Sequence, residues 1–244
     1  LARQLKRYHC EWKSLLRGSI QFEVCVHISD GHIFIGVPLT RVPLSSRPYL
    51  LRNALRSTVC DAMLSLANIQ PGMFVVDFTC GSSSILVQAA HDLAGKCFLL
   101  GCDIREESLR MSAENRGHLR SYDAKNYTIE LLAADVKCDY LRLECIDRIV
   151  CDLPFGQNYG NEEDSLEILK SVINILSRCS AACEAVLLVA ASQQPIVGSI
   201  LPSNVLLESV YPISLGNTQG TLIKLTHRCE QNIATNNSSS MVNV

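Results

Sequence analysis

The stretch V-V-D-F-T-C-G-S-S-S, residues 75–84, decides the fold of this chain. Met73 to Phe78 form a short apolar run that is typical of a buried strand, and a helix is predicted from about Ser83 to Leu93. The small residues between them make a tight turn whose backbone amides can approach a ligand. A strand, a small-residue turn and a helix in this order predict the first unit of a doubly wound α/β sheet.

The alternation of strands and helices continues towards the end of the chain. Strand, helix and strand in series imply right-handed crossovers and a parallel sheet. The closing pair of strands around residues 216–220 makes one end antiparallel, which favours a methyltransferase over a dehydrogenase. The fold class is therefore α/β, a doubly wound Rossmann-like sheet that is mostly parallel with an antiparallel final strand. The elements predicted after the first unit are strands at 97–102, 127–133, 148–151, 185–191, 205–211 and 221–227, and helices at 106–119 and 166–178.

Three patterns precede the sheet. Apolar residues from Leu51 to Ile69 fall on one helical face, and Gln70-Pro71-Gly72 ends that helix. Between residues 20 and 40 apolar and other residues alternate around a turn at Asp30-Gly31, which predicts a β-hairpin appendage. The basic opening stretch, residues 3–17, has apolar residues at helical spacing. It fits either a solvated amphipathic helix or a contact with a nucleic acid.

Length and composition limit the class of protein. The 244 residues, 48% hydrophobic and 19% charged, suffice for one large domain with an appendage. We expect a helix and hairpin linker at 1–48, a catalytic domain at 49–228 and a disordered tail at 229–244. The chain opens on leucine without a secretory signal, so it is expected to begin within a longer protein. No apolar run reaches the roughly 18 residues of a membrane-spanning helix, so no membrane partner is expected.

Cysteine usage and net charge narrow the class further. Most of the twelve cysteines lie within apolar runs and none forms a C-x-x-C pair, so we expect reduced thiols and no metal site. The formal net charge of -2 lacks the basic excess of most free-standing nucleic-acid binders. If the substrate is a nucleic acid, another part or partner must help to hold it.

Four aspartates stand at or directly after predicted strand ends: Asp77, Asp103, Asp135 and Asp152. Parallel strands end at one edge of the sheet, and ligands of open α/β sheets bind beyond that edge. One aspartate alone could simply cap the helix that follows it. Four together predict a polar crevice.

The spacing of Asp103 indicates the kind of cofactor. It lies about 22 residues after Gly81 at the end of the second strand, where a carboxylate bonds ribose hydroxyls in dinucleotide-type folds. A pyrophosphate would prefer a G-x-G-x-x-G turn and would be repelled by Asp77. A sulfonium cofactor with an amino-acid end would be attracted instead.

The fourth strand runs into C-D-L-P-F-G, residues 151–156, which resembles the [Asn/Asp]-Pro-Pro-[Tyr/Phe] motif of methyltransferases that act on conjugated amino groups. The lone pair of such an amine is delocalised, so the enzyme needs acceptors for its N–H groups and a surface for its ring. Asp152 and the Leu153 carbonyl would accept, Phe155 would stack on the base, and Pro154 would stiffen the loop. The alternative is an ordinary turn with an apolar plug.

With these residues the chain resembles the methyltransferase half of the THUMP-domain-containing RNA guanine-N2 methyltransferases. The resemblance rests on G-V-P-L-T at 36–40, on R-P-Y-L-L-R-N-A-L-R-S-T-V-C-D-A-M-L-S-L-A at 47–67, on P-G-M-F-V-V-D-F-T-C-G at 71–81 and on D-L-P-F-G at 152–156. It implies S-adenosylmethionine as cofactor, RNA as substrate, a small zinc-binding activator subunit and a nuclear or cytoplasmic location. The RNA-engaging THUMP module would lie before Leu1.

The resemblance also assigns site residues. The methionine and ribose parts of the cofactor would face the turn and the second strand end, the adenine would face the third, and Asp152 to Phe155 would face the base. Arg56, Ser57 and Thr58 would either approach the cofactor or serve in packing. The cofactor residues implied are Asp77, Thr79, Cys80, Gly81, Ser82, Asp103, Ile104, Asp135, Val136 and Asp152.

Two departures from the family pattern keep alternatives open. Ser83 and Ser84 stand where the first motif commonly continues with glycine and threonine, which puts cofactor affinity in question. Glu162, Glu163 and Asp164 would repel phosphate, so a loop carrying them is expected to face solvent or a protein. The alternatives are a catalytically silent binding subunit, or an amine methyltransferase acting on adenine-N6 in DNA or on a protein glutamine.

Overall fold

The computed structural model describes residues 23–29, 31–39, 46–52, 55–123, 127–156, 161–216 and 218–228. The chain divides into two compact units, Leu1–Ser46 and Arg47–Val244. The amphipathic helix predicted within residues 3–17 and the tail predicted at 229–244 lie outside the described residues, as does Asp30 in the predicted hairpin turn.

The first unit contains the predicted hairpin. Strands β1 (Cys25–Ser29) and β2 (His32–Gly36) pair in antiparallel register, with Val26 opposite Ile35 and Ile28 opposite Ile33. Gly31 has a φ of 78°, which glycine adopts without strain and which closes the turn. The alternation in the sequence therefore predicted this element correctly.

The second unit is built on a seven-stranded sheet of order β5-β4-β3-β6-β7-β9-β8. All its strand pairs are parallel except β7 with β9 and β9 with β8, so the predicted antiparallel end is confirmed. From β3 the chain adds β4 and β5 on one side, and then returns to add β6 and β7 on the other. The strand order therefore reverses between β3 and β6, which is where open α/β sheets bind ligands. The strands are β3 (Phe74–Asp77), β4 (Phe98–Asp103), β5 (Ile129–Ala133), β6 (Arg148–Asp152), β7 (Glu184–Ala190), β8 (Val205–Leu215) and β9 (Thr218–His227).

Helices cover both faces of this sheet. Because successive strand residues point to opposite faces, Val75 packs into one apolar core and Val76 into the other. The first core lies under α1 (Ser57–Ala67), α2 (Ser84–Asp92) and α3 (Glu106–Asp123), and the second under α4 (Glu162–Arg178) and α5 (Gln194–Ile200). Within the described residues, no helix has both the length and the apolar character that crossing a membrane requires.

Several predicted boundaries were wrong: α3 ends at Asp123 rather than Leu119, and β8 ends at Leu215 rather than Tyr211. Helix α1 begins at Ser57 rather than Leu51. The buried Arg47 guanidinium donates to the Leu55 carbonyl and to Gln88 Oε1 at 2.9 Å, which keeps the Leu55 carbonyl out of the helical hydrogen-bond pattern. Residues 218–220, predicted as loop, extend β9.

Helix α4 begins at Glu162 rather than Leu166, so the three acidic residues form its first turn and not a loop. The Asn161 side chain accepts from the Asp164 amide at 2.8 Å, and Asp164 accepts from the Asn161 amide at 3.3 Å. This capping box, with acidic side chains at the positive end of the helix dipole, explains the earlier start.

Candidate cofactor and substrate site

A pocket of about 820 Å³ opens at the carboxyl edge of the sheet. Of the predicted site residues, all line it except Leu153 and Phe155, and the four aspartates are brought together as expected. Arg56, Ser57 and Thr58 are not among its lining residues; Leu51, Arg52 and Leu55 of the same segment are. The remaining lining residues, which sequence reasoning missed, are Ser84, Ile85, Arg105, Ser108, Met111, Ala134, Lys137, Asp164 and Ile168, together with Phe78 at the end of the first predicted strand.

The turn between β3 and α2 keeps a glycine-like shape at Ser83. This residue has φ 60° and ψ 32°, the left-handed conformation that glycine adopts most readily. Its hydroxyl lies 2.8 Å from that of Ser112, which donates to the Gly81 carbonyl at 2.7 Å. Ser83, where the resemblance implies a glycine, therefore keeps the turn in the left-handed conformation and adds buried hydrogen bonds.

Asn115 connects this turn to the loop before α1. Its side-chain amide donates to the carbonyls of Ser82 at 2.7 Å and Arg52 at 2.9 Å, and accepts from the Arg52 amide at 2.7 Å. Asn115 is fully buried in α3. The sequence signal was an asparagine within a predicted helix, where its propensity is poor, but this signal does not identify the partners of Asn115.

Asp103 is held rigidly by backbone groups. Its carboxylate accepts from the Gly81 amide at 3.0 Å and from the Arg105 amide at 2.8 Å, and Arg105 Nε lies 3.5 Å away. Each carboxylate oxygen can accept more than one hydrogen bond. Asp103 therefore combines the local capping role with spare acceptor capacity towards the pocket.

Two of the carboxyl groups are shielded from water. Burial raises the pKa of Asp77 to about 8, helped by the negative charges of Asp152 and Asp103 and opposed by the bond from the Thr79 amide at 3.0 Å. Burial also raises the pKa of Asp152 to about 7. A cation placed between these groups would favour their charged forms, so the pocket is electrostatically suited to a positively charged ligand.

The D-L-P-F segment is anchored on both sides. The Leu153 side chain is buried and its amide donates to the Leu188 carbonyl at 3.0 Å, which continues the pairing of β6 with β7. The Ser165 hydroxyl donates to the Pro154 carbonyl. Phe155 is half-buried against the first core, and a Cβ at Gly220 would lie 3.2 Å from its Cζ. Gly220 thus makes room for this ring.

The far end of the pocket is flanked by apolar and charged side chains. Asp135 accepts from the Lys137 amide at 3.0 Å, and Lys137 Nζ lies 2.7 Å from Glu167 on α4. Ile104 is 68% exposed, and together with Ile168 it offers apolar surface that a flat ring could contact. Asp164 lines the pocket, although we expected its acidic run to face solvent or a protein.

The sheet order, the strand-end carboxylates and the pocket between them define a class I methyltransferase fold. TrmN from Thermus thermophilus shares this fold with a TM-score of 0.68 and 23% sequence identity, over 92% of this chain and 64% of that one. Residues 45–200 match the family UPF0020, described as the RMKL-like methyltransferase domain. The chain belongs to this family.

Curated relatives match about two thirds of the chain. The human U6 snRNA (guanine-N(2))-methyltransferase THUMPD2 is 35% identical over 168 residues, which cover 69% of this chain and 32% of that protein. The human tRNA (guanine(6)-N(2))-methyltransferase THUMP3 is 26% identical over 177 residues, 69% of this chain and 34% of that protein. The chain thus spans about a third of the length of these relatives.

Proposed function

We propose that this chain is the catalytic domain of an S-adenosylmethionine-dependent RNA methyltransferase that forms N2-methylguanosine in tRNA or U6 snRNA. The observation that carries the proposal is that Asp152 and Pro154 of the D-L-P-F segment line a carboxylate-lined pocket, in a family with curated relatives named for guanine-N2 methylation of these RNAs. The domain boundaries that we propose are 1–48 for the linker, 49–228 for the catalytic domain and 229–244 for the tail.

The pocket fits the cofactor in size and in chemistry. Its volume lies within the range of about 300–1,000 Å³ that is usual for small-molecule sites. Asp103 would accept from the ribose hydroxyls, Asp135 and the Val136 backbone would face the adenine, and Asp77 would face the cationic methionine end. The buried Ser108 hydroxyl has no hydrogen-bond partner in the described part of the chain, which suits a site that receives a polar ligand.

When bound, S-adenosylmethionine supplies an electrophilic methyl group. Asp152 and the Leu153 carbonyl would accept hydrogen bonds from the guanine N2 amine and turn its lone pair towards that methyl group. Transfer would form the N–C bond, break the methyl–sulfur bond to leave S-adenosylhomocysteine, and release one proton from the nitrogen; the Asp152 carboxylate, whose pKa burial raises to about 7, would accept that proton. Phe155 would contact the base plane, with Pro154 restricting the loop.

RNA and a small zinc-binding activator subunit are the proposed partners, and the nucleus or cytoplasm the proposed location. The net charge of -2 supports the need for help in holding RNA. The left-handed turn at Ser83 argues against a silent subunit, because the conformation that glycine would provide is retained.

The decisive test separates methyl transfer from cofactor binding. Asp152→Ala should abolish methyl transfer to RNA, because the Asp152 carboxylate is proposed to accept hydrogen bonds from the guanine N2 amine. The affinity for S-adenosylmethionine, measured by calorimetry, should stay within about threefold. Asp139→Ala is the matched control, because Asp139 pairs with Arg178 at 2.6 Å outside the pocket. Equal loss of affinity and turnover in Asp152→Ala would contradict the role assigned to it.

Calorimetry should be run with and without the co-expressed activator subunit. Binding in either preparation, abolished by Asp103→Ala, would support the enzyme. Absence of binding in both would favour a silent binding subunit.

A further inference from the structure

Ser165 and Gln193 form a buried chain of hydrogen bonds that ends on the D-L-P-F segment. Gln193 Nε2 lies 2.7 Å from Ser165 Oγ, and Ser165 Oγ bonds the Pro154 carbonyl. Ser165 is 1% exposed and Gln193 7% exposed. Neither residue lines the pocket, so neither is placed to touch the cofactor or the substrate.

The hydrogen bond at the Gln193 end determines which groups donate and which accept along this series. The Ala190 amide, at the end of β7, donates to Gln193 Oε1 at 3.3 Å, so the other side-chain atom of Gln193 is its NH2 group. An amide NH2 group only donates, so Ser165 Oγ accepts from Gln193 and its own proton is left for the Pro154 carbonyl. Gln193 therefore sets the polarity of the Ser165 hydroxyl.

The Leu153 carbonyl lies between two fixed points. On one side the Leu153 amide is bonded to the Leu188 carbonyl at 3.0 Å, and on the other the Pro154 carbonyl is bonded to Ser165. Between these anchors the proline ring fixes its own φ near -65°. Little rotation is left for the Leu153–Pro154 peptide, so the direction of its carbonyl is determined by both anchors.

We propose that Ser165 and Gln193 are positioning residues for methyl transfer, which aim the Leu153 carbonyl at the amine of the substrate. The inference rests on the proposed function, in which that carbonyl is one of the two acceptors. Loss of the Ser165 bond frees the Pro154 end of the segment, and a small misalignment of an acceptor lowers the rate of the chemical step more than it lowers binding. The other cofactor residues, which follow β3, β4 and β5, are expected to be unaffected.

The test compares turnover with cofactor affinity in the 244-residue chain, with the activator subunit if turnover requires it. Ser165→Ala should lower kcat about tenfold while the Kd of S-adenosylhomocysteine stays within about twofold. Ser165→Thr, which keeps the hydroxyl, should recover most of the turnover. Ser171→Ala on the same helix, whose hydroxyl donates to the Glu167 carbonyl at 2.8 Å outside the pocket, is the control and should change neither quantity.

Gln193→Glu provides a second test that nearly conserves shape. A carboxylate accepts, so it would draw the Ser165 proton away from the Pro154 carbonyl and should lower kcat as Ser165→Ala does. Unchanged kcat in both variants would overturn the positioning role while leaving the proposed function intact. Parallel loss of cofactor affinity would also overturn it, because the effect would then be a general loss of structure. Absence of cofactor binding and turnover in the unaltered protein would overturn the proposed function and this inference with it.

Discussion

Ser83 stands where the resemblance described in the sequence analysis implies a glycine. A side chain in the left-handed region costs about 1–2 kcal/mol relative to glycine. The hydrogen bond of 2.8 Å to Ser112 offsets part of that cost, because Ser112 in turn bonds the Gly81 carbonyl. The hydrogen bond of Ser83 to Ser112 therefore partly compensates for the backbone strain at Ser83.

This compensation predicts opposite behaviour for two small substitutions at Ser83. Ser83→Gly removes the strain and the hydrogen bond together, so the free energy of unfolding should stay within about 1 kcal/mol of the unaltered chain. Ser83→Ala keeps the strain and loses the bond, and should destabilise by about 1–2 kcal/mol. Urea denaturation followed by circular dichroism measures both. A loss in Ser83→Gly as large as in Ser83→Ala would contradict the compensation.

The buried carboxyl of Asp77 predicts a pH dependence of cofactor binding. Its pKa is raised to about 8 in the free protein, and a bound cation should lower it, so binding releases a proton below that pH. S-adenosylmethionine affinity should therefore fall as the pH is lowered through about 8. Asp77→Asn keeps the acceptor for the Thr79 amide and removes the charge, and should bind more weakly with a flatter profile. Calorimetry between pH 6 and pH 9 checks this prediction. If the affinity of Asp77→Asn changed with pH as steeply as that of the unaltered chain, the titration would belong to another group.

The raised pKa of Asp77 also affects the stability of the free protein, with a pH dependence opposite to that of cofactor binding. The folded pKa of Asp77 lies above its ordinary value of 3.8, so the folded state holds the proton more tightly than the unfolded chain does. Its contribution to stability is present at acid pH and is lost as the pH rises through about 8. Binding and folding thus place opposing demands on this carboxyl.

At the level of elements, the pocket is assembled by contacts between segments that are distant in sequence. Asn115 in α3 ties the turn before α2 to the loop before α1 through Ser82 and Arg52. Gln193, just before α5, reaches the loop after β6 through Ser165. The site is held by polar side chains beneath its surface as well as by the strand ends themselves.

The parts of this arrangement that follow a local rule were predictable from the sequence. Strand periodicity located the sheet, and because parallel strands share an edge, Asp77, Asp103, Asp135 and Asp152 could be grouped. Asn115 and Gln193 could not be placed, because their partners are separated from them by tens of residues with no periodic relation. The start of α4 was readable from the Asn161 and Asp164 capping pair, but apolar spacing alone missed it. Stacking of Phe155 on the base stays a prediction.

At the scale of the whole molecule, the pocket and the net charge lead to different expectations for cofactor binding and for RNA binding. The residues that line the pocket all lie in the unit Arg47–Val244. The chain carries 22 basic and 24 acidic residues, whereas affinity for RNA rests largely on basic contacts to phosphate. Cofactor binding should therefore be complete in this chain, and RNA binding should not.

This division predicts weak RNA binding with normal cofactor binding. At about 0.15 M salt the chain should bind a U6 snRNA or tRNA fragment with a Kd above roughly 10 µM, the range of non-specific binding. The full-length human relative THUMPD2, of which the chain matches 32%, is the comparison and should bind at least about tenfold more tightly. Fluorescence anisotropy measures both, with S-adenosylhomocysteine affinity as the control for folding. Equal RNA affinities would contradict the prediction, since this chain would then carry the RNA contacts despite its net charge of -2.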